Sequence, residues 1–291
     1  MKRKLLPVIM GALIAAGLGV LFYPSISEWY NAQYQIRAIV SYDDTIEKMS
    51  EQMIEEELRK AREHNRTLTE QTIFDPFIPG GMTLSETYTS IMNTNNGIMG
   101  SIQIPVIDVN LPIYHGTGAD VLAKGVGHME MTPFPIGGPG NHSVLTGHTA
   151  LPDARLFTDL IKLKEGDVFY IHIYKEIFAY QVDQISVVKP DNTKLLLPES
   201  GRDYVSLVTC TPYGINSHRL LVRGTRIPYE AAVMEQQPGV GTAAAKVFIH
   251  YDLVIALVML FLVIIFLVII FLAAARFGKH RRQGGGPDNR E

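Results

Sequence analysis

The sequence predicts a mainly β domain held between two apolar segments, and three observations carry that prediction. From Ile98 onward, short β-branched or alternating runs are separated by Gly, Pro, Asn and Asp, the pattern of an all-β barrel or sandwich. From Leu253 to Ala275 the chain is uncharged and rich in Leu, Ile, Val and Phe. That run is about two dozen residues long, and at about 1.5 Å per residue it exceeds the roughly 30 Å hydrocarbon layer of a membrane. A second apolar stretch, Leu5 to Tyr23, follows Lys2, Arg3 and Lys4.

The elements are read in chain order. Residues 1–27 form a basic tail with a membrane anchor or signal segment, and the length of the apolar stretch favours a retained anchor. Asp43 to Asn65 has Ile46, Met49, Met53, Ile54, Leu58 and Ala61 near helical spacing among many charges, which predicts one exposed amphipathic helix. Asp44 and Glu47 resemble a capping box at its start. Thr67 to Gly81 breaks the pattern with Asp75-Pro76-Phe77, Pro79 and Gly80-Gly81, the chemistry of a mobile connector. A short helix is expected around Ser85 to Met92. The β runs are Ile102 to Ile104, Val109 to Tyr114, Ser143 to Thr146, Val168 to Tyr174, Phe178 to Val188, Tyr204 to Thr209 and Leu220 to Thr225. They place the domain at 97–230, closing near Ile227. A linker at 231–251, a transmembrane helix at 252–275 and a basic tail at 276–291 complete the chain. Positive charge flanks both apolar segments, with Arg276, Lys279, Arg281 and Arg282 after the second, so both termini are expected in the cytoplasm and the domain outside the cell membrane.

Composition narrows the function. The chain has 291 residues, 47% hydrophobic and 19% charged. Its mean hydropathy of +0.11 is high for a soluble protein and is consistent with membrane lipid as a partner. With 26 basic against 29 acidic residues and a net charge of -3, it offers no basic field for phosphate neutralisation, which excludes nucleic acid as an expected partner. One cysteine, Cys210, excludes an intrachain disulfide and a multi-cysteine zinc site, leaving a buried apolar thiol or a reactive one. Scattered Asp and Glu show no metal-ligand constellation, so no metal and no cofactor are expected.

Cys210 ends an apolar strand-like run and is followed by the turn signal Thr211-Pro212-Tyr213-Gly214, after which a second run begins at His218-Arg219. Read as a hairpin, this sets Cys210 beside Arg219, with opposed Cα atoms roughly 5 Å apart. A neighbouring cation raises the thiolate fraction of a cysteine or stabilises the oxyanion formed after attack. His148, in Leu145-Thr146-Gly147-His148 at another strand end, has small neighbours and is a candidate proton-transfer group. Taken on spacing alone, Cys210 also fits a buried core thiol, His148 a loop histidine and Arg219 a solvated strand arginine.

Leu145 to His148, Leu207 to Gly214 and Asn216 to Gly224 resemble the signature of sortases, most closely class C, the pilin-polymerising sortases of Gram-positive bacteria. The similarity runs from Gly97 to Pro228 and includes Leu111 to Gly116 and Arg155 to Leu160. Ser206, and Thr149-Ala150 after the histidine, depart from the residues often found there. The resemblance implies a closed, eight-stranded sortase-type β-barrel preceded by N-terminal helices in 28–96. Cys210 would attack, His148 handle protons and Arg219 steady substrate and oxyanion, with no cofactor. It also implies a lid over 70–82, in which Asp75 approaches the catalytic centre and Phe77 fills the substrate groove. The implied reaction cleaves a Leu-Pro-x-Thr-Gly-like (LPxTG) signal between Thr and Gly and passes the acyl group to a pilin lysine. Partners would be pilin subunits or other surface proteins bearing such signals. Attachment to peptidoglycan is the alternative within the family, and a non-catalytic peptide-binding scaffold the alternative outside it.

Overall fold

The computed structural model describes residues 2–68, 73–77, 83–94, 97–151, 153–230, 260–261 and 263–264, with the side chains of 2–10, 12 and 15 outside the description. Two compact units are distinguished, Met1–Ser27 with Gly241–Glu291, and Glu28–Val240. In the first, all described backbone is helical. Among the described residues no helix is long and apolar enough to cross a membrane, so neither predicted crossing is supported by the fold. The predicted crossing at 252–275 falls almost wholly outside the described residues, as does the basic tail that follows it.

The larger unit is a closed barrel of eight strands. They are β1 (Ile98–Ile104), β2 (Val109–His115), β3 (Val126–His128), β4 (Asn141–Thr146), β5 (Val168–Ile173), β6 (Glu176–Val188), β7 (Asp203–Thr211) and β8 (His218–Ile227). Their order around the barrel is β1-β2-β3-β4-β7-β8-β6-β5. The seven predicted runs all appear; β1 starts four residues earlier than predicted, β5 ends one residue sooner, and the other five are extended by one to four residues. β3 is the addition: three residues with a central glycine carry no readable alternation, and the strand exists because it pairs with β2 in parallel and β4 in antiparallel. Most neighbours are antiparallel, but β4 and β7 run parallel, with β5 and β6 lying between them in sequence. Parallel strands end at the same rim.

Alternation divides the side chains of these strands. Leu145, Leu207 and Val222 join Ile102, Ile113, Phe169 and Ile171 in the main core. Val144, Val208 and Leu221, one residue out of step, form a smaller cluster with Met129, Leu196 and Ile73.

Three helices precede the barrel, α1 (Lys2–Glu47), α2 (Glu51–Thr67) and α3 (Glu86–Ser90). Tyr42 on α1 donates to the Met99 carbonyl at 3.0 Å and accepts from the Tyr174 N–H at 2.8 Å, tying the helix to β1 and to the β5–β6 turn. The single helix predicted from Asp43 to Asn65 is two helices. Ser50 caps α2 by accepting from the Met53 N–H, so the start lies at Ser50 rather than at the predicted Asp44 capping box. α2 buries Ile54, Leu58 and Ala61, one stripe at helical spacing. At its end, the Asn65 side chain accepts from the Phe134 N–H at 2.8 Å and donates to the Phe134 carbonyl at 3.1 Å.

Candidate functional site

β7 and β8 meet in an antiparallel ladder in which Cys210 lies directly opposite Arg219, the pairing the turn signal predicts. In the parallel β4–β7 pair, Asn141 lies beside Asp203 and Thr146 beside Val208. Two more steps along both chains bring His148 level with Cys210. Two bonds maintain that match beyond the end of β4: the Gly147 N–H donates to the Val208 carbonyl at 3.1 Å, and the Thr209 hydroxyl donates to the Gly147 carbonyl at 2.7 Å. Glycine is required at 147, because a Cβ there would lie 2.8 Å from two ring carbons of the buried Phe157. The next residue is held too, since the His148 carbonyl accepts from the Phe157 N–H.

Arg219 is fixed from two sides. Its Nε and Nη2 donate to the two carboxylate oxygens of Asp75 at 2.8 and 2.6 Å, and both side chains are only 10% exposed. Its Nη1 donates to the carbonyls of Asn216 and His218, each at 3.0 Å. A planar guanidinium held by a bidentate carboxylate and two carbonyls has little freedom to turn. Phe77 completes the cover: its ring centroid lies 5.0 Å from the Arg219 Cζ and 5.5 Å from the His148 ring centroid.

The electrostatics follow from this cover. Burial pushes the Cys210 thiol up, Arg219 pulls it down and Asp75 pushes it up again, with a net rise. The expected gain in thiolate is therefore not realised while Asp75 occupies the guanidinium. Burial also lowers the His148 imidazole, which is half-buried against Phe77 rather than open. At neutral pH both groups are mainly uncharged in this arrangement.

All five predicted residues, Asp75, Phe77, His148, Cys210 and Arg219, converge on one rim. Sequence reasoning passed over Ile73, which is buried in the smaller apolar cluster and whose carbonyl accepts from the Thr193 hydroxyl at 2.8 Å. A single isoleucine in a loop has no period to betray it. His142 lies away from the rim, its ring nitrogens meeting the Leu197 carbonyl and the Ser206 hydroxyl. His218 pairs with the Ser217 hydroxyl on the exposed hairpin. Among the described residues no cluster of His, Cys, Asp and Glu is suited to a metal ion.

A closed barrel that brings a thiol, an imidazole and a guanidinium to one rim holds the groups that acyl transfer through a thioester needs, a nucleophile, a proton carrier and an oxyanion partner. The sortase domain model matches residues 102–227. The crystal structure of sortase C-1 from Streptococcus pneumoniae is 47% identical, with a TM-score of 0.63, and the match covers 66% of this chain and 99% of that one. The pilus-related sortase C of Group B Streptococcus is 43% identical at a TM-score of 0.62, covering 65% and 97%. Sortase A of Bacillus anthracis is 29% identical over 134 residues, 46% of this chain and 62% of that protein. The chain thus spans less than two thirds of the first curated relatives, down to 48% of sortase A from Streptococcus agalactiae. This chain belongs to the sortase family, and its structural neighbours are class C pilin sortases.

Proposed function

We propose that the chain is a membrane-anchored cysteine transpeptidase that polymerises pilins. The observation that carries the reading is the register that sets His148 and Arg219 on either side of Cys210. Cys210 attacks the Thr–Gly carbonyl of an LPxTG-like sorting signal as its thiolate. The tetrahedral oxyanion is stabilised by Arg219, and His148 protonates the departing glycine amine as the thioester forms. A pilin lysine amine then attacks the thioester, loses its proton to His148, and the thiolate is released as the isopeptide bond forms. No cofactor enters these steps.

Asp75 and Phe77 act as a lid; of the expected lid segment 70–82, residues 70–72 and 78–82 lie outside the described residues. The carboxylate occupies the guanidinium that would otherwise meet the oxyanion, and the ring lies between that guanidinium and His148. Apolar segments at 5–23 and 252–275 hold the barrel of 97–230 on the outer face of the membrane, where sorting signals are presented at high local concentration.

The test is electrophoresis of detergent-boiled cell-wall extracts from cells carrying the wild-type chain or Cys210→Ala, probed for the surface proteins encoded beside it. A high-molecular-weight ladder present with wild type and absent with the variant is expected. A ladder unchanged by the variant removes polymerisation, and a fall in wall-attached monomer in its place assigns attachment to peptidoglycan.

A further inference from the structure

Thr146 is the last residue of β4 and is fully buried. Among the described residues its hydroxyl has no hydrogen-bond partner. The neighbouring hydroxyls are satisfied: Ser143 donates to the Pro133 carbonyl, Thr132 to the Met129 carbonyl, Thr209 to the Gly147 carbonyl, and Ser206 meets His142. An unpaired buried hydroxyl is unfavourable and uncommon, and valine has nearly the same shape without that penalty. Packing alone would select valine at this position.

Strand alternation says where the group points. Leu145 enters the main core, whereas Val144 belongs to the outer cluster with Ile73 and Phe77. Thr146 shares the face of Val144, and the same step of two leads to His148. The hydroxyl therefore lies on the face covered by the connector, between the apolar floor at Val144 and the imidazole at His148. Across the pair it lies beside Val208, two residues before Cys210. An extended peptide laid along the β4–β7 face with its scissile carbonyl at Cys210 would bring its main chain past this position.

We propose that Thr146 is a substrate-binding residue whose hydroxyl donates to a main-chain carbonyl of the sorting peptide, on the amino side of the scissile bond, once Ile73 and Phe77 have left the groove. This inference rests on the transpeptidase reading and assigns a residue which that reading does not use. The apolar cover leaves the hydroxyl without a partner, and the peptide supplies one, so the interaction favours substrate over lid.

The experiment measures kcat and KM for cleavage of a soluble LPxTG peptide by the full chain in detergent, in an Asp75→Ala background that frees Arg219. Thr146→Val is expected to raise KM about tenfold, the equivalent of one net hydrogen bond, with kcat changed less than about threefold. Thr146→Ser, which keeps the hydroxyl, is expected to restore most of the affinity, and Thr146→Val, which removes the unpaired buried hydroxyl, should melt no lower than the parent. An unchanged KM in Thr146→Val overturns the proposal. So does an equal rise in KM for serine and valine, which would mark a packing role. An Asp75→Ala parent that neither cleaves nor transfers the peptide overturns the transpeptidase reading itself, and this proposal with it.

Discussion

Cys210 stands under opposed influences, burial the largest of them, and one carboxylate works against Arg219, which alone lowers its pKa. Burial raises its pKa, Arg219 lowers it and Asp75 raises it. Replacing Asp75 by asparagine removes a raising influence and leaves the guanidinium charge uncompensated, so the thiol should ionise at lower pH. Iodoacetamide alkylation of Cys210, followed against pH, reports this directly: the inflection in Asp75→Asn is expected below that of wild type. A faster reaction with an unmoved inflection would mean that the variant changes access alone. The Cys210–Arg219 adjacency was legible locally, because Thr211-Pro212-Tyr213-Gly214 announces a turn between two apolar runs. The adjacency of His148 was not. It depends on a parallel β4–β7 pair with partners 62 positions apart, as from Thr146 to Val208, and no local pattern encodes such a pairing. Only the family resemblance brought His148 to the thiol in advance.

At the scale of elements, the connector is held by more than its ion pair. Ile73 is 6% exposed among Met129, Val144, Leu196, Val208 and Leu221, and Thr193 bonds its carbonyl. Truncating an isoleucine to alanine removes three carbons, about 2 kcal/mol of apolar burial at the usual value per methylene. If Ile73 holds the lid down, Ile73→Ala should shift lid opening, and with it cleavage of a short sorting peptide, by roughly 30-fold at most. The melting temperature of the barrel should stay close to wild type, because Ile73 lies outside the main core. A large fall in melting temperature with an unchanged cleavage rate would make Ile73 a part of the barrel rather than a latch. The sequence located the connector by its Asp-Pro-Phe and Gly-Gly chemistry, yet it hid which residues anchor it. The break between α1 and α2 was hidden for a related reason: Ser50 caps a helix inside a stretch whose charges and apolar spacing read as continuous.

For the whole molecule, buried histidines set the response to acid. His128 is fully buried, packs against both Tyr88 and Phe134, and has Nδ1 2.9 Å from the Tyr88 hydroxyl and Nε2 2.9 Å from the Pro133 carbonyl. A carbonyl can only accept, so Nε2 carries the proton, and Nδ1 is left to accept from the Tyr88 hydroxyl, which shares its one proton with the His128 carbonyl 2.9 Å away. A second proton would remove that acceptor. Burial, with His115 and His64 nearby, lowers its pKa to about 3. The unfolded chain takes up that proton near pH 6.5, so between about pH 6.5 and 3 the unfolded state binds more protons and stability falls as pH falls. At pH 4 the loss from this one group is on the order of 3 kcal/mol. His115 and His142, whose pKa values burial also lowers, act in the same direction. Melting temperature measured from pH 7.5 to 4 should therefore decline below pH 6.5. His128→Gln keeps a donor and an acceptor but cannot titrate, so it should melt lower at pH 7.5 and decline less steeply in acid. Parallel curves for variant and wild type would reject His128 as the dominant acid-sensitive group and leave the decline to His115, His142 and the other histidines whose pKa burial lowers.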